Sequence, residues 1–124
     1  KPELSELGIK RDDGNPKDTL NPLDGRAFEF IDTLYSDLLP YFDSEYVNVG
    51  MDETVSLGMG QTKEYCDKHG KINLYIEYLN KIIGLTNKKY GKKAMNISQS
   101  LIKIPLLWIG AMRRNRRFRH AVSF

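Results

Sequence analysis

The stretch Tyr46 to Glu53, YVNVGMDE, constrains this chain more than any other. Val47, Val49 and Met51 alternate with Tyr46, Asn48 and Gly50, and nearly every position is apolar or small. That pattern predicts a strand covered on both faces, as in a parallel sheet. Gly50 inside it predicts a close approach of another group to the backbone. The strand runs directly into two adjacent acids, Asp52 and Glu53.

The flanks supply helices to cover such a strand. In LNPLDGRAFEFIDTLYSDLLPYF, residues Phe28, Ile31, Leu34, Tyr35 and Leu38 recur at helical spacing. Asn21 with Pro22, or Asp24, is placed to cap that helix, and Pro40 ends it. After the glycine-rich loop SLGMGQTK, a second helix is predicted over roughly 71–90, with Ile72, Tyr75, Ile76, Leu79, Ile82, Ile83 and Thr86 on one side. KKYGKK closes it with cations and a glycine stop, and Ala94-Met95 begins a next strand. Residues 1–20 are polar and turn-rich, with Asp13-Gly14 and Asn15-Pro16, and read as a loop with at most one helical turn. The order helix, strand, loop, helix, strand predicts a parallel α/β architecture. In such folds function gathers at the C-terminal ends of strands, where Asp52 and Glu53 stand.

Charge divides the chain. The last 29 residues, from Asn96, hold Lys103 and five arginines and no acid. The preceding 95 residues carry 13 basic against 16 acidic side chains, so the body is mildly acidic although the whole chain is at +3. With one cysteine, Cys66, no intrachain disulfide forms, which favours a reducing compartment. The opening KPELSELGIK has no apolar signal region, so a cytoplasmic chain is expected. IPLLWIGAM is too short to span a bilayer. His69 and His120 lie far from the acids along the chain and no third ligand is identifiable, so no metal is expected. Taken alone, an Asp-Glu pair after a strand caps a helix or faces solvent as readily as it serves chemistry.

Residues 19–95 carry a further signal. LNPLDGRAFEFIDTLYSDLLPYFDSEYVNVGMDE, followed by GMGQTKEYCDKHG and YIEYLNKIIGLTNKKYGKKAM, resembles glycoside hydrolase family 20, the β-N-acetylhexosaminidases. That family carries a strand-terminal Asp-Glu pair, usually in G-x-D-E, here Gly50-Met51-Asp52-Glu53. The resemblance implies that 1–95 is about two βα units of a (β/α)8 TIM barrel. It implies hydrolysis of terminal β-linked GlcNAc or GalNAc, with a carbohydrate substrate as partner and no cofactor. In this family the substrate's own 2-acetamido oxygen is the nucleophile. Glu53 would then be the general acid and Asp52 the anion that orients the acetamido N–H. Successive strand side chains point to opposite sides, so the two acids would reach different parts of one sugar.

Two departures accompany the resemblance. The family's earlier strands, with the arginine that grips the sugar, do not precede this segment. After Met95 the match ends, and the family's tryptophan-bearing strand is replaced by NISQSLIKIPLLWIGAMRRNRRFRHAVSF. With suitable codons a shifted frame of LLWIGAMRRNRRF spells F-V-D-W-G-Y-E-A-E-Q-A-F, so residues 96–124 read as a basic, frameshifted tail. About two barrel units leave sheet edges uncovered. The 124-residue chain alone is therefore expected to be marginally folded, with little or no hydrolytic activity. The alternative is a non-catalytic degenerate fragment whose RRNRRFRH stretch binds nucleic acid or an anionic surface weakly; no RNA-binding module precedes it, which disfavours a nucleic-acid partner.

Overall fold

A computed structural model describes residues 2–52 and 54–95. Glu53 and the tail 96–124 lie outside the described residues. A short helix α1 (Pro2–Ser5) is followed by α2 (Gly25–Leu38), strand β1 (Tyr46–Asn48), helices α3 (Lys63–His69) and α4 (Lys71–Gly84), and strand β2 (Lys93–Met95). The two strands pair in parallel, with Tyr46 opposite Lys93, Val47 opposite Ala94 and Asn48 opposite Met95.

Local chemistry sets the helix limits. Asp24 caps α2, its side chain accepting from the Arg26 N–H at 3.0 Å. Asn21, the other candidate cap, instead turns the chain one step earlier by accepting from the Leu23 N–H. Leu39–Tyr41 forms a tight 3-10 turn with Pro40 at its start, where a missing N–H costs nothing. Gly70, at φ +90°, separates α3 from α4, and the α3 turn itself was not visible in the apolar spacing. Beyond Gly84 the chain continues as one wide π turn over Leu85–Lys89.

The core gathers Ile9, Met51, Leu57, Leu74, Tyr78 and Ile82, with Phe28 and Ile31 packed on it. On α4 the buried stripe is Leu74, Tyr75, Tyr78 and Ile82, continuing to Leu85 and Thr86. This is rotated from the expected face, because Ile72, Ile76, Leu79 and Ile83 are only half-buried. The expectation of a strand covered on both faces also gives way: Tyr46 and Asn48 are exposed and Val47 is half-buried. Among the described residues the sheet has two strands, too few to enclose either one.

The N-terminal segment is more than a loop. Ile9 is fully buried and Leu7 nearly so. Gly8 and Leu20 form an antiparallel bridge, Ile9 N–H donates to the Thr19 carbonyl at 2.8 Å, and Asn21 N–H to the Leu7 carbonyl at 2.7 Å. This clasp reaches across to the segment after β1. Lys10 N–H donates to Gln61 Oε1 at 2.8 Å, and the buried Ser56 hydroxyl donates to Asp18. Gly60, at φ +45°, backs onto the Lys10 carbonyl so tightly that a Cβ there would stand 2.3 Å from its oxygen.

Candidate functional site

The site grows from the end of β1. Val49 N–H extends the ladder by donating to the Met95 carbonyl at 2.9 Å. Asn48 Oδ1 then accepts from the Gly50 N–H at 2.9 Å, a side-chain-closed turn that Asn favours. Gly50 has φ +60° and open space where a Cβ would stand, so the glycine serves the turn and not the expected close approach. Met51 enters the core, and its carbonyl accepts from the Tyr75 hydroxyl at 2.8 Å. That bond ties the backbone just before Asp52 to α4.

Asp52 is exposed and makes no hydrogen bond or ion pair among the described residues. It borders a cavity of about 320 Å³ enclosed by α2, the end of β1, α4 and the clasp, at the small end of the range for ligand pockets. Asn48, Thr54 and Asp18 also border it, while Met51, Leu57, Tyr75, Tyr78 and Ile82 form its buried walls.

Two of these residues were not singled out in the sequence. Asp18 stands in a stretch that reads as a loop, yet it accepts from the hydroxyls of Ser56 and Thr19 and from the Arg11 guanidinium. The Ser56 bond above all, helped by Thr19 and Arg11, holds its carboxyl below the usual carboxylate range. Nothing in the local sequence announces a pairing across 38 positions. Tyr78, on α4, has a hydroxyl that is buried with no protein partner among the described residues. Burial, with the nearby Tyr35 phenol, pushes its pKa up to about 12.

Other residues fall away from the cavity. Gly58, Met59 and Gly60 of the glycine-rich loop are not among its walls. His69 stacks on Tyr65 with ring centroids 4.6 Å apart. Among the described residues, no cluster of three or more His, Cys, Asp or Glu is placed to hold a metal, and no helix is long and apolar enough to cross a membrane. Searches of family models, curated proteins and solved structures return no match for this chain.

Proposed function

We propose that residues 1–95 carry part of the active site of a β-N-acetylhexosaminidase built on a (β/α)8 barrel, with Asp52 and Glu53 as its catalytic pair. The observation that carries the reading is the placement of Asp52. It is a carboxylate with no partner among the described residues, four residues beyond the end of a parallel strand, at the border of a cavity, on backbone anchored by Asn48 and Tyr75. A carboxylate in that position is free to accept from an amide N–H.

The chemistry assigned to the pair runs as follows. The acetamido oxygen of the substrate attacks the anomeric carbon and displaces the leaving oxygen, which takes a proton from Glu53. Asp52 accepts the acetamido N–H, fixes the group for attack and offsets the positive charge of the oxazolinium. Water, deprotonated by Glu53, then opens the ring with net retention.

The test is binding of a thiazoline analogue of the oxazoline intermediate to the full 124-residue chain, followed by amide NMR. Millimolar analogue is expected to move the resonances of Asn48 to Asp52, and Asp52→Asn to abolish the effect. Unmoved resonances at saturating analogue would falsify the reading. Turnover of a chromogenic β-GlcNAc glycoside by the same chain is expected to stay at background, and clear turnover lost in Glu53→Gln would overturn that expectation of an inactive isolated chain.

A further inference from the structure

The cavity that Asp52 borders combines a carbon lining with charge of one sign. Met51, Leu57, Tyr75 and Ile82 are buried in its walls, and Ile31 and Val49 stand half-buried beside them. Among the described residues, the charged groups that line it are Asp18 and Asp52, with no lysine, arginine or histidine. The two carboxylates differ. Asp18 is taken up by Arg11, Ser56 and Thr19. Asp52 is exposed at the rim and has no partner among the described residues. Two of the neutral polar groups are also committed: Asn48 Oδ1 accepts from the Gly50 N–H, and the Tyr75 hydroxyl donates to the Met51 carbonyl.

These features select among ligands. An anion would meet two like charges in the lining and no opposite one. A neutral apolar molecule would cover the walls but take water from Asp52 without replacing it. A molecule with a hydrocarbon body and a cationic head suits both parts. Its carbon leaves water at the walls, and its head stays partly hydrated at the rim, as a lysine ammonium does at the end of its stem.

We propose that this cavity binds a small primary amine, its hydrocarbon body against the walls and its ammonium paired with Asp52. The inference uses the walls and the Asp52 charge and needs no glycoside chemistry, so it goes beyond the role proposed for Asp52.

The probes are benzylamine, benzyl alcohol and benzoate, which share nearly one shape and are positive, neutral and negative at neutral pH. Each is titrated against the full chain and followed by amide and methyl NMR. Benzylamine is expected to move the Ile31 and Ile82 methyls and the Asp52 amide, and to bind at least about threefold more tightly than benzyl alcohol, the scale of a partly exposed ion pair. Benzoate should bind most weakly, and added salt should narrow the gap between amine and alcohol. Asp52→Asn should bring benzylamine down to the affinity of benzyl alcohol, with a preserved amide spectrum showing that the variant folds. The inference is overturned if no probe moves the isoleucine methyls, if amine and alcohol bind equally to the parent, or if the preference for the amine survives Asp52→Asn. A chain that takes benzylamine but not the thiazoline analogue keeps this inference and loses the catalytic reading, and the converse result does the opposite.

Discussion

The N-terminal clasp and the two-stranded sheet both join distant parts of the chain, and they do so by opposite means. The clasp has almost no regular structure, yet its Ile9 and the Ser56 bonded to it are completely buried. The sheet is the regular element, yet its three-residue strands leave Tyr46, Asn48 and Met95 exposed. Regularity of backbone and depth of burial are separate quantities here. Backbone pairing aligns β1 with β2, whereas side-chain burial and cross-chain hydrogen bonds hold the post-strand segment that carries Asp52.

Truncations to alanine in the two regions test that contrast. Ile9→Ala is expected to cost the most, about 2–5 kcal/mol, because the cavity it leaves is sealed. Val47→Ala in half-buried β1 should cost about 1 kcal/mol. Urea denaturation of the two variants measures the difference, and equal costs would break the comparison.

Two glycines with positive φ give the next effect. Gly60→Ala must both hold a left-handed backbone and displace the Lys10 carbonyl, and should cost about 2 kcal/mol or more. Gly50→Ala meets only the backbone cost, about 1 kcal/mol, since nothing stands near its Cβ. The gap between their denaturation midpoints isolates the clasp contact.

Ser56→Ala should lose about 1–3 kcal/mol, the cost of breaking a bond between a fully buried hydroxyl and Asp18. The Asp18 carboxyl has its pKa lowered in the folded state, chiefly by that bond. Its contribution is therefore present above the unfolded value near 3.8 and is lost as pH falls below it. Ser56→Ala should accordingly show a shallower loss of stability between neutral and acid pH than the parent.

Smaller effects follow at the cavity. Tyr78→Phe should gain about 1 kcal/mol at neutral pH by removing an unpaired buried hydroxyl. The folded pKa of Tyr78 is raised from 10.0 to about 12, so the parent loses stability as pH climbs through that window and the variant does not. Thermal melts at neutral and strongly alkaline pH check both. Asp52→Asn should change stability least, within about 0.5 kcal/mol, because the carboxylate is exposed and unpaired among the described residues.

Much of the helical framework was legible. Phe28, Ile31 and Tyr35 mark the half-buried side of α2, whereas Leu34 and Leu38, expected on the same face, are exposed; the Gly91 region ends the second helical segment as its cations suggest. On α4 and its extension the expected face holds for Tyr75, Ile82 and Thr86 but gives way to Leu74 and Tyr78 elsewhere, because the sequence is apolar on more than one side and spacing alone leaves its rotation open. Ile9 was missed because a lone apolar residue among turn formers carries no periodic signal. Of the candidate site, an acid after a strand is visible in the sequence, whereas the pairing of Asp18 and the burial of Tyr78 are not. Both depend on residues far along the chain.

Where backbone turns and helices start and stop follows from neighbouring residues: Asp24 caps, Pro40 interrupts, Asn48 and Gly50 turn the chain, each through atoms only a few positions away. It takes the packed fold to bring Asp18 to Ser56, to tie Met51 to Tyr75, and to bury Tyr78 beside a cavity with no protein partner for its hydroxyl among the described residues. The physical reason is range. Torsional preference and capping act within a turn of backbone, whereas burial and hydrogen-bond satisfaction are set by whichever distant surfaces the folded chain brings together.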